Sequence, residues 1–225
     1  MDLSVAARFR ATTGTIEEII ALRPDVVVSG KYIAPSTLAG LRRLGIKVEL
    51  LDIAQTVEQS EAQVRQLARL AGHGDRGEAM VAQIRDALAK AKPAQGTAPV
   101  SAVIWQSGGI VPGGDTLISD LLVRTGFVSL TATKGMKQAE VLPLESLIAD
   151  PPQVLLTAGD VHGEEDRMLS HPALRDLAST ERQRLEPSLL YCGGPTIIRA
   201  AERLSKVRRQ LAAKQAVGVR KETLR

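Results

Sequence analysis

Residues 15–29 read TIEEIIALRPDVVVS, and this stretch decides the fold. Thr15 and Glu18 have the Thr-x-x-Glu spacing of a capping box, which predicts a helix start. Pro24 stops that helix near Leu22, because the residue before a proline avoids the helical region. Val26 to Ser29 is a short apolar run, as expected of a strand buried on both faces of a parallel sheet. The same pattern returns at residues 145–157, ESLIADPPQVLLT. In each copy a glutamate (Glu17, Glu145) opens a short apolar helix, a proline follows (Pro24, Pro152), and a strand ends the unit. The copies are much farther apart than the roughly 20–50 residue period of a solenoid, so they predict two similar lobes. By itself, each glutamate is only a favourable residue for the positive end of a helix dipole.

The chain around these copies continues the alternation of helix and strand. Pro35 to Leu44 reads as a helix with an early proline and Gly45 beyond its end. Val48 to Leu51 reads as a strand. Thr56/Gln59 and Asp75/Glu78 repeat the cap spacing, and Val81, Ile84 and Leu88 mark one apolar helical stripe. Pro93 stops that helix, and residues 94–99 (AQGTAP) are linker-like. Beyond the linker, Val100 to Trp105 reads as a strand, and Gln106 to Gly114 as a glycine-rich loop. Leu117 to Leu122 reads as a helix closed by Gly126, and Leu144 to Ala149 as a short helix. Val154 to Thr157 reads as a strand, Pro172 to Ala178 as a helix, Leu189 to Cys192 as a strand, and Pro195 as the start of a long final helix. The prediction is an α/β fold with mostly parallel sheets flanked by helices.

Composition narrows the function. The chain has 225 residues, 44% apolar and 24% charged, with a net charge of +4. No apolar run reaches the roughly 20 residues of a membrane span. One cysteine, Cys192, excludes a disulfide framework and a cysteine-built zinc site. With two Phe, two Tyr and one Trp, a base-stacking surface for nucleic acid is not expected. Nine Lys/Arg face two Glu from Arg199 onward, so the tail carries +7 and the rest −3. A basic terminal helix is more often a solvated face than a nucleic-acid or membrane patch. Met1 to Arg10 lacks the apolar stretch of a secretory signal.

The segments from Thr15 to Val27, Leu41 to Asp52, Gly114 to Gly126, Leu144 to Val154, His171 to Leu174 and Tyr191 to Pro195 occur in an order that resembles one family. It is the ABC-transporter substrate-binding proteins of the iron-siderophore, haem and cobalamin type. The resemblance covers nearly the whole chain. It implies an N-terminal lobe (1–74), a rigid lobe-joining helix (75–93) and a C-terminal lobe (94–225), with the ligand held between lobes. It implies that Glu17 and Glu145 dock on arginines of a membrane permease. It implies a monomer in the periplasm or cell envelope, with no catalysis, no resident cofactor and no nucleic-acid partner. Family members start with an export signal and a strand–helix–strand portion, so the resemblance leads us to expect an N-terminal lobe lacking its first part. An intracellular α/β enzyme or a ligand sensor is the alternative reading.

Ligands of open parallel sheets bind outside the carboxyl ends of strands. That rule selects Ser29 to Tyr32, Trp105 to Ser107, Asp160 to His162, and Tyr191 to Gly194. The candidate contacts are Tyr32, Trp105, Gln106, Asp160, His162 and Tyr191. For Trp105 and Tyr191, ordinary burial is an equal expectation. Gly108–Gly109 and Gly113–Gly114 permit positive φ or close approach, but they form neither a dinucleotide fingerprint nor a P-loop. Three scattered histidines (His73, His162, His171) do not predict a bare-metal cage. A preformed chelate, either a ferric siderophore or a corrinoid, is the favoured ligand. Cys192, Ser29 and Ser107 lack the partner base or the motif of a nucleophile, and Cys192 reads as a buried small residue.

Overall fold

The computed structural model describes the backbone of residues 7–159, 171–175, 177 and 179–222. The chain divides into two compact units, Met1–Ile53 and Ala54–Arg225. The expected lobe boundaries at 74/75 and 93/94 both fall inside the second unit.

The first unit runs α1 (Ile16–Ala21), β1 (Val26–Gly30), α2 (Pro35–Arg43) and β2 (Lys47–Leu51). Thr15 caps α1, its hydroxyl accepting the Glu18 N–H at 3.4 Å. β1 and β2 are parallel, with Val26 opposite Lys47 and Gly30 opposite Leu51. α1 crosses α2 at Gly40, where a Cβ would overlap the Ile16 side chain. Ile19 and Leu41 are the buried side chains among the unit's described residues, and neither strand contains a buried residue.

The second unit opens with α3 (Val57–Leu70) and α4 (Gly74–Ala91). β3 (Val100–Gln106) follows, then a 3-10 turn and β4 (Ile110–Pro112). Next come α5 (Leu117–Arg124), β5 (Phe127–Ser129), α6 (Leu130–Thr133) and β6 (Ala139–Val141). The chain continues through α7 (Leu144–Ala149), β7 (Val154–Ala158), α8 (Pro172–Arg175), β8 (Glu181–Arg184) and α9 (Thr196–Glu222). The main sheet is parallel in the order β5-β3-β7-β8, and β4 and β6 form a separate antiparallel pair.

Strand alternation builds two cores. Ala102 and Ile104 of β3 and Val154 and Leu156 of β7 face α4, α5 and α9, through Ile84, Leu121, Ile197 and Leu204. Val103 and Trp105 of β3 and Leu155 of β7 face α7 and α8, through Leu147 and Leu174.

Two local expectations are corrected. The run Leu189 to Cys192 is not a strand: Pro187–Leu189 is a 3-10 turn, and the Gly193–Gly194 pair takes the chain into α9. The fourth strand is instead β8, whose sequence ERQR has no apolar signal. Asp75 does not cap α4: the N-cap is His73, without a side-chain bond, and Asp75 lies in the first turn.

Candidate functional site

In the first unit the chain leaves β1 at Gly30 and turns through Lys31 and Tyr32. The Lys31 N–H donates to the Leu51 carbonyl at 3.1 Å, which keeps this turn beside the end of β2. The Lys31 ammonium lies 2.5 Å from Asp52 Oδ1 and 5.6 Å from the centroid of the Tyr32 ring. The hydrogen bond between them raises the lysine pKa and lowers that of Asp52, which also accepts the Ile53 N–H. Tyr32 is 78% exposed. The ring therefore stands open to solvent at the carboxyl end of a parallel strand pair, next to a held cation. Asp52 was missed in the sequence, although the strand-end rule that selected Tyr32 applies equally to the end of β2.

In the second unit β3 ends at Gln106, a buried residue. Tyr191, 73% exposed, donates its hydroxyl hydrogen bond to Gln106 Oε1. Residues 85 positions apart thus meet at the carboxyl end of the central strand. Just past Gln106, Gly108 and Gly109 adopt φ of 69° and 76°, turning the chain into β4. Gly113 serves the other glycine role: a Cβ there would come within 2.5 Å of the Met136 and Lys137 backbone. The β4–β6 pair places Ile110 opposite Val141, and both side chains are exposed.

The remaining candidates are placed as follows. Trp105 is fully buried among Val103, Leu147 and Leu174, so it presents no surface to a ligand, and its indole N–H has no partner among the described residues. The alternation of β3 explains this: Trp105 and Gln106 point to opposite faces. Cys192 is exposed, contrary to the buried role expected of it. Asp160 and His162 lie outside the described residues. Among the described residues, no three His, Cys, Asp or Glu side chains converge on a metal position, and no helix is long and apolar enough to cross a membrane.

The two motif copies fold alike. Glu17 and Glu145 are exposed in the first turns of α1 and α7. Two residues on, Ile19 and Leu147 are buried; three residues on, Ile20 and Ile148 are 41% and 40% exposed. Residues three apart share a helix face, so each copy presents an acid and an isoleucine side by side.

Parallel sheets flanked by helices, with a duplicated helix–strand motif, make a two-unit α/β protein. The chain belongs to the periplasmic binding protein family, whose model matches residues 8–185. Solved structures share the fold. The periplasmic heme-binding protein RhuT from Roseiflexus sp. RS-1 is 24% identical, with a TM-score of 0.71, over 85% of this chain and 78% of that one. A periplasmic heme binding protein from Pseudomonas aeruginosa is 25% identical, with a TM-score of 0.66, over 86% and 75%. The periplasmic vitamin B12 binding protein BtuF of Vibrio cholerae is 17% identical, with a TM-score of 0.63, over 85% and 76%. No curated protein matches the chain.

Proposed function

We propose that this protein is the solute receptor of an ABC importer, that it captures a metal chelate, and that it delivers the chelate to a membrane permease. The observation that carries the reading is the placement of both tyrosines. Each stands exposed at the carboxyl end of its unit's parallel strands, Tyr32 beside the Lys31–Asp52 pair and Tyr191 on Gln106. Open aromatic faces with few donor side chains around them suit a large ligand whose metal is already coordinated. The relatives named for heme and vitamin B12 bind metals already held by a macrocycle, and a ferric siderophore is likewise a preformed metal chelate. In this reading Tyr32, Gln106 and Tyr191 contact the ligand, together with Asp160 and His162. Trp105 supports β3 from behind.

Glu17 with Ile20, and Glu145 with Ile148, are the proposed permease contacts: a carboxylate for a permease arginine and an apolar neighbour for its surroundings. Helix α4 is the proposed lobe joint between 1–74 and 94–225, and it limits hinge motion because a continuous helix offers no soft dihedrals. The working form is a monomer in the periplasm or cell envelope.

Titration of the full chain with haemin, cyanocobalamin and a ferric hydroxamate tests the reading. One of them is expected to bind, with affinity lost about tenfold or more in Tyr32→Ala and in Tyr191→Ala. A folded chain that binds none of the three would sink the receptor assignment. In proteoliposomes with the importer, Glu17→Arg and Glu145→Arg are expected to keep ligand affinity and abolish uptake. Unchanged uptake would remove the docking role.

A further inference from the structure

We propose that Ser60, on the buried side of α3, is the positioning residue that presents Tyr191 to the ligand. This rests on the ligand role of Tyr191 given above. The segment from Tyr191 to Gly194 has no strand or helix of its own. On one side it is tied to β3, through the Tyr191 hydroxyl on Gln106. On the other it is tied to α3, because the buried Gly194 N–H donates to Ser60 Oγ at 2.8 Å. Ser60 is 1% exposed, so its hydroxyl is the acceptor that keeps this N–H from being orphaned out of water. Both glycines are shaped to that contact. A Cβ on Gly193 would overlap Ser60 Oγ, and Gly194 holds φ of 61°, in the left-handed region that favours glycine.

The anchor is effective because α3 is itself held. Asp120 Oδ2 accepts the Val57 N–H at 2.8 Å, Arg124 pairs with Glu58 at 2.7 Å, and Glu61 on the same turn as Ser60 pairs with Arg85 at 2.6 Å. A loop pinned to a bolted helix is preorganised, so Tyr191 meets the ligand without first being ordered. The side chain that does this lies 134 positions from the glycine it holds.

The test compares wild type with Ser60→Ala, Tyr191→Phe and the double variant. Amide exchange at Gly194 is expected to speed up at least tenfold in Ser60→Ala, while exchange in β3 and β7 stays as in wild type. Affinity for whichever of haemin, cyanocobalamin and the ferric hydroxamate binds is expected to fall about tenfold in each single variant and no further in the double, because residues acting as one unit are not additive. Ser60→Thr, which retains the hydroxyl, should restore slow exchange at Gly194. Unchanged Gly194 exchange in Ser60→Ala would overturn the proposal. So would affinity losses that simply add. A wild-type chain that binds none of haemin, cyanocobalamin and the ferric hydroxamate would instead defeat the receptor reading, whatever the exchange rates show.

Discussion

Glu18 is only half-buried, yet one of its carboxylate oxygens accepts three hydrogen bonds of 2.8 Å, from the Thr12 hydroxyl, the Thr13 hydroxyl and the Thr13 N–H. These bonds, led by the Thr13 hydroxyl, bring its pKa from 4.5 down to about 2. Because the folded value lies below the unfolded one, ionised Glu18 stabilises the fold above about pH 4.5, and that contribution fades as pH falls through about 2. A carboxyl-carbon NMR titration should show a midpoint near 2, and Thr13→Val should move it back toward the ordinary range. A midpoint already in that range for the wild type would contradict the three-donor geometry. The Thr15-to-Glu18 spacing made the helix start legible in the sequence. It did not reveal that the glutamate would accept chiefly from Thr12 and Thr13, with Thr15 contributing least. That choice depends on the path of the preceding coil. Gln59 shows the same divergence: Thr56 caps α3 as expected, while Gln59 Oε1 takes the Gln55 N–H.

At the scale of elements, the α3–α4 pair is held by a buried acid and a small-residue crossing. Glu61, with 5% of its side chain exposed, pairs with Arg85 at 2.6 Å, while Arg85 remains 63% exposed. Gly77 lets α4 pass within 2.5 Å of Ala68, measured to where a Cβ would stand. Glu61→Ala should cost about 1–3 kcal/mol, at the lower end for a charge-assisted pair because Arg85 can rehydrate. Urea unfolding measures it, and an unchanged midpoint would show that the pair contributes nothing. The apolar helix stripes that build these packings were readable from periodicity, as were β1, β2, β3 and β7. β8 was not. As an edge strand, it pairs on one side only, and its charges are used outside the ladder, Glu181 meeting Lys214 at 2.7 Å. The apolar run at Leu189 reads as a strand by composition, yet Pro187 and the two following glycines make it a turn.

At the scale of the whole molecule, burial is uneven. The first unit buries Ile19 and Leu41 among its described residues, whereas every residue of β7 in the second is buried. Native-state hydrogen exchange should therefore run at least about a hundredfold faster in β1 and β2 than in β3 and β7. Equal protection would mean that the first unit is stabilised beyond its visible packing. The +7 of the tail also finds a use. Arg208 holds the carbonyls of Gly126 and Ala98, Arg203 the carbonyl of Arg184, and Lys214 pairs with Glu181. Three of the nine basic residues are thus spent on the protein's own loops and edge strand.

The sequence by itself determined the α/β class, the parallel strands, the duplicated helix–strand motif and the family resemblance, because these follow from periodicity, caps and proline positions within a few residues. The tertiary structure alone decided that Trp105 faces the core while Gln106 receives Tyr191, that Cys192 is exposed, and that Ser60 holds Gly194. Each of these depends on which face of a strand or helix meets a partner tens of residues away. Spacing along a chain constrains neighbours in sequence, whereas contact between distant segments is set only when whole elements pack.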